Sequence, residues 1–194
     1  LNNILAEINW MQNIAHAYGT EAKFIFYYAG HGVPDESNGS AYLLPIDGKS
    51  NIPATGYSIS KLYAELNALN AASVTVLMDA CFSGTKRGDG MLASARGVAL
   101  KAKAEAPKGN MLVLTAAQGS ETAYPYKEKK HGLFTYFLLK KLQESKGKTT
   151  YGELFEYVKR NVAQKSIVVN EKSQTPSVAA SGDMASAWEN IKLN

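Results

Sequence analysis

The stretch Val74-Thr75-Val76-Leu77-Met78-Asp79-Ala80-Cys81-Phe82-Ser83-Gly84 decides how the rest of the chain is read. A run of β-branched and apolar residues stops at an acid, and two positions later stands the only cysteine among 194 residues. Small, flexible residues follow at once. This pattern predicts a buried strand that presents a reactive side chain at its C-terminal end. An earlier stretch, Lys23-Phe24-Ile25-Phe26-Tyr27-Tyr28-Ala29-Gly30-His31-Gly32, has the same form and ends at a histidine between two glycines. The two strand ends are expected to face one cleft.

Working outward from them, Ile4 to Tyr18 carries Ile4, Leu5, Ile8, Met11, Ile14 and Ala15 at helical spacing, with Gly19 as a C-terminal stop. Gly30 to Gly39 reads as a loop, and Ala41 to Pro45 as a short strand, half of a small hairpin. Ser58 to Asn70 predicts a second helix capped by Ser58 or Ser60, with Leu62, Leu66 and Leu69 as its apolar stripe. Asn110 to Ala117 is a third buried strand, and Gln118 to Lys130 a polar loop. Phe134 to Leu142 and Tyr151 to Val162 are two further helices. Thr175 to Ala180 is a last, edge strand, since Pro176 suits an edge. Apolar strands spaced by helices predict an α/β domain spanning 1–194, with a mostly parallel sheet covered on both faces. Ligands of such sheets bind beyond the C-terminal strand ends, where His31 and Cys81 both fall.

Composition narrows the function classes. Hydrophobic residues make up 45% and charged residues 20%, a soluble globular balance. No apolar run approaches the roughly 20 residues of a membrane helix. The net charge of +4 lies largely in Lys86 to Lys108 and Lys127 to Lys148, without the aromatic interleaving of a nucleic-acid surface. A membrane or nucleic-acid partner is therefore not expected. A single cysteine excludes an intrachain disulfide, and three histidines without recurrent spacing point to no metal site. The chain begins at Leu1 rather than Met, which suggests a fragment or processed form; cytoplasmic and secreted locations both stay open.

Cysteine attacks as thiolate, and an ordinary thiol is only a few per cent ionised at neutral pH. A histidine within reach can take its proton and later protonate a leaving amine. The amides of Gly32 and Cys81 could donate to a developing oxyanion. These roles follow if the two strand ends are neighbours, as consecutive parallel strands usually are.

Tyr27-Tyr28-Ala29-Gly30-His31-Gly32 and Leu77-Met78-Asp79-Ala80-Cys81-Phe82-Ser83-Gly84 resemble the two catalytic boxes of the caspase/metacaspase superfamily of cysteine peptidases. Caspases place the histidine roughly 50 residues before the cysteine, and His31 and Cys81 keep that interval. Leu114-Thr115-Ala116-Ala117-Gln118 and His131 to Leu142 continue the likeness. Asp79 two residues before the nucleophile resembles metacaspases, paracaspases and their bacterial relatives. The resemblance implies a caspase-like three-layer sandwich with a last antiparallel edge strand, and peptide hydrolysis by a Cys81/His31 dyad needing no cofactor. It also implies a first family strand, mid-sheet, that this chain does not contain; either a cleaved N-terminal piece held as a separate polypeptide supplies it, or the segment was lost.

Asp79 is either a turn or capping acid or the floor of an S1 pocket that pairs with substrate Arg or Lys, the role of the matching acid in the metacaspase-like relatives. A buried carboxylate favours a cationic partner over an acidic one. Glu121 and Tyr124, on the loop that borders S1 in the family, are further substrate-binding candidates. Lys86, Arg87 and Arg96 are candidate self-cleavage positions in the basic segment after Cys81. Some metacaspases need calcium, but the chain shows no dense acidic cluster. A monomer is expected, because Pro176 blunts edge pairing. A non-catalytic caspase-like module that binds a peptide or partner protein is the alternative.

Overall fold

The computed structural model describes residues 1–35, 37–50, 52–82, 106–119, 121–182 and 184–193. The self-cleavage candidates Lys86, Arg87 and Arg96 lie outside these residues. Helix α1 (Asn2–Tyr18) buries Ile8, Met11 and Ala15 and stops at Gly19, whose φ of 55° is the left-handed conformation that favours glycine. Strand β1 (Lys23–Ala29) follows.

The segment predicted as a loop from Gly30 begins with strand β2 (His31–Pro34), paired antiparallel with β3 (Ala41–Leu44), so that His31 faces Leu44 and Gly32 faces Leu43. Strand β4 (Tyr57–Ser58) completes this small sheet. Helix α2 (Ile59–Asn67) starts at Ser58, whose side chain accepts from the Lys61 N–H, and it ends three residues before the predicted Asn70.

The central sheet runs β1, β5 (Ser73–Asp79), β6 (Met111–Thr115) and, past two short strands, β9 (Ser177–Ala180). The first three are parallel and β9 is antiparallel to β6, as the resemblance implied. Between β6 and β9 come β7 (Pro125–Tyr126), inside the predicted polar loop, and β8 (His131–Gly132), just past its end, which pair as a hairpin, then α3 (Leu133–Ser145) and α4 (Tyr151–Asn170). Helix α4 outruns its predicted end at Val162 because its last turns bury Ser166 and expose Ile167 and Val168, which hides the apolar period.

Period-two alternation divides the core into two layers. Phe24, Phe26, Val74, Val76, Met78 and Val113 face α1 and α2. Leu77, Leu112 and Leu114 face α3 and α4. The helix layers on either side of one sheet make the three-layer sandwich. Strands β1 and β9 form its edges among the described residues, and Ile25 and Tyr27 of β1 stay half exposed.

Candidate active site

Strands β1 and β5 pair in register from Lys23 and Ser73 to Ala29 and Asp79. His31 and Cys81 each follow two residues past that last pair, so the parallel register itself delivers both to one end of the sheet. The crossing is tied by the Gly30 N–H, which donates to the Asp79 carbonyl at 3.2 Å. Gly32 then passes directly against the cysteine turn: a Cβ there would stand 2.3 Å from Phe82 Cδ1 and 2.7 Å from the Cys81 carbonyl oxygen. Only glycine permits this approach.

The two partners have unlike surroundings. Cys81 is 3% exposed, in the layer beneath α3 and α4. His31 is exposed, and its backbone is held from below. The Tyr28 hydroxyl lies 2.9 Å from the carbonyls of both His31 and Leu44, bracing the start of β2 against the end of β3.

Asp79 is fully buried. Its Oδ2 accepts from the Thr135 hydroxyl at 2.6 Å and from the Thr135 N–H at 3.2 Å. Thr135 is the third residue of α3, and Gly132, at the N-cap, offers no side chain to the helix start. The strand acid therefore satisfies an amide that the first turn of a helix leaves open, at the positive end of the helix dipole. Gly132 makes room for it: a Cβ there would sit 2.0 Å from Asp79 Oδ2. Beside Gly132 and Thr135 lies a hollow of about 360 Å³, also lined by Tyr27, Ala29, Pro125, Lys130 and His131.

Glu121 is held at the approach to β9. Its carboxylate accepts from the Thr175 N–H at 2.6 Å and from the Thr175 hydroxyl at 3.1 Å, fastening the approach to β9. It lines a second hollow, of about 220 Å³, together with Cys81, Phe82 and Tyr63. The Tyr124 N–H donates to Gln174 Oε1 at 2.8 Å, and Gln174, fully buried, donates in turn to the Ala116 carbonyl at 2.9 Å. The structure thus sets the Gly32 backbone against the Cys81–Phe82 turn, lines one hollow with His31 and another with Cys81 and Glu121, and ties Glu121 and Tyr124 by hydrogen bonds to Thr175 and Gln174. Reading the sequence missed Tyr28, Gly132, Thr135 and Gln174. Of these only Gly132, just before an apolar helix start, gave any local signal.

Among the described residues no three His, Cys, Asp or Glu side chains cluster in a way that could hold a metal ion, so no calcium donor set can be named there. No helix among them is long and apolar enough to cross a membrane.

The fold and the paired boxes define a caspase-like α/β domain. The caspase domain of peptidase family C14 matches residues 1–183, and the chain belongs to that family of cysteine peptidases. Protein GSU0716 from Geobacter sulfurreducens shares the fold with a TM-score of 0.68 at 21% identity, over 97% of this chain and 77% of its own. Caspase-1 from Spodoptera frugiperda does so with a TM-score of 0.54 at 14% identity, over 90% of this chain and 66% of its own. Among curated proteins nothing matches.

Proposed function

We propose that the chain is a cysteine endopeptidase that cleaves peptide bonds after Arg or Lys, with Cys81 as nucleophile and His31 as general acid and base. The observation that carries this reading is the contact of Gly32 with the Cys81–Phe82 turn, which sets the imidazole-bearing strand against the thiol-bearing one. His31 takes the thiol proton, and the Cys81 sulfur bonds to the substrate carbonyl carbon. The amides of Gly32 and Cys81 donate to the oxyanion. As it collapses, the C–N bond breaks and His31 gives its proton to the leaving amine. Water then attacks the thioester, His31 accepts its proton, and the Cys81 sulfur departs. No step needs a metal or cofactor.

Asp79 is assigned the floor of S1, reached through the hollow beside Gly132 and Thr135. The rim of that hollow is basic at Lys130 and His131, so Asp79 supplies the negative charge that a cationic P1 side chain needs. Burial of Asp79 under the start of α3 also supports a second reading, in which the acid only anchors that helix. Self-processing after Lys86, Arg87 or Arg96, a monomeric state, and a separate N-terminal strand beside the open edge of β1 belong to the same proposal.

A peptide-library digest read by mass spectrometry, wild type beside Cys81→Ala, tests the set. Cleavage after Arg and Lys that vanishes in the variant is expected. Cleavage by the variant would refute the nucleophile. Cleavage after other residues would return Asp79 to its structural role, and no cleavage by either would favour the non-catalytic module.

A further inference from the structure

We infer that Thr135, backed by Tyr27, is the positioning residue that aims Asp79 at a substrate cation; this deepens the S1 reading and rests on it. Three elements meet at one hydroxyl. Thr135 Oγ1 donates its only hydrogen to Asp79 Oδ2 at 2.6 Å. Its 2.7 Å contact with the Tyr27 hydroxyl must then be one it accepts, so Tyr27 donates. The relay runs from Tyr27 on β1 to Thr135 on α3 to Asp79 on β5, with each hydrogen pointing toward the acid.

The relay joins the groups that the proposed reaction must align. Tyr27 lies four residues before His31 on the same chain, and Asp79 lies two before Cys81. The Asp79 backbone carbonyl meanwhile accepts the Gly30 N–H. Asp79 is thus gripped at its carbonyl by the histidine strand and at its carboxylate by α3. Rotating the carboxylate would cost the two Thr135 hydrogen bonds, and hydrogen bonds to a charged acceptor are the stronger kind. Tyr27 and Thr135 both line the hollow assigned to P1, so the groups that fix the acid also shape the space a guanidinium would enter.

The test uses agmatine, a guanidinium probe, bound to Cys81→Ala and measured by calorimetry, with steady-state kinetics of an arginine-P1 peptide in the catalytically intact protein. Adding Thr135→Val removes the hydroxyl and keeps the amide. It is expected to weaken agmatine binding about tenfold and to raise KM about tenfold while kcat stays within threefold. Thr135→Ser should restore both to within twofold, and Tyr27→Phe should cost about threefold. Unchanged agmatine affinity in Thr135→Val would overturn the inference, as would a Thr135→Ser variant as weak as Thr135→Val, which would mark a merely structural role. A fall in kcat at constant KM would overturn it too. If Cys81→Ala itself binds no agmatine, the S1 reading fails and this inference with it.

Discussion

The strand ending at His31 and the strand ending at Cys81 have the same form in sequence and opposite settings in the fold. On β5 six of seven residues are buried; on β1 every second residue is exposed. The contrast holds row by row on the face toward α3 and α4. Ile25 is 56% exposed beside Thr75 at 1%, and half-exposed Tyr27 stands beside buried Leu77. An apolar side chain lies in water while its polar neighbour is buried. What decides burial here is not the residue but the strand's place: α3 and α4 lie over β5 and β6, and β1 is an edge among the described residues. The thiol and the carboxylate stand at the covered centre, and the imidazole stands at the exposed rim.

Removing the two proposed catalytic groups should give the largest effects and should separate activity from stability differently at each strand end. Cys81→Ala is expected to lower peptide hydrolysis by about 10⁴-fold or more. His31→Ala should lower it by about 10³-fold, within the range for a lost general base. Thermal melts of both check the comparison. His31→Ala, at an exposed position, should move stability by no more than about 0.5 kcal/mol. Cys81→Ala, inside the core, should cost about 1 kcal/mol. The reverse order would break the contrast between rim and centre.

One residue further back the same contrast concerns the fold. Asp79→Ala leaves the Thr135 amide without this acceptor and the Thr135 hydroxyl with Tyr27 in place of a charged partner, at a cost of about 2–4 kcal/mol. The melting midpoint should fall by roughly 5–15 °C. Gly132→Ala attacks the same contact from the helix side and should cost about 1–3 kcal/mol by overpacking. Ala29→Ser, beside Asp79 in register but on the exposed edge strand, should stay within about 0.5 kcal/mol. A harmless Asp79→Ala in the melt would show that α3 does not depend on this acid.

These contacts also mark how far the sequence could be read. The strand runs, their order and the parallel pairing that carries both boxes to one end of the sheet were legible, because apolar runs that end in a reactive residue are local patterns and parallel neighbours are common. The β2 pairing was not legible, because Gly-Val-Pro after His31 does not alternate and its partner is set by tertiary contact. Nor was the setting of Asp79. Its acceptor role is fulfilled by Thr135, 56 residues away, on a helix whose own start carries no capping side chain. The hydrogen bonds of Glu121 were not legible either, because a loop residue shows its charge in sequence and hides its partner, here Thr175.

The row holding Ile25 and Thr75 gives the finest test. The Thr75 hydroxyl donates to the Tyr151 oxygen at 2.7 Å, deep under α4, and burial pushes the Tyr151 phenol above its ordinary pKa although the hydrogen bond pulls the other way. Thr75→Val or Tyr151→Phe alone strands one hydroxyl in the core, and each should cost about 1–2 kcal/mol. The double variant replaces both partners by apolar groups of similar shape and should recover most of that loss, so the coupling measured by a double-mutant cycle should be about 1 kcal/mol or more. Ile25→Thr places the central residue's side chain on the edge strand and should change stability by less than about 0.5 kcal/mol. If Ile25→Thr instead cost as much as Thr75→Val, Ile25 would be covered in solution, and β1 would not be an open edge.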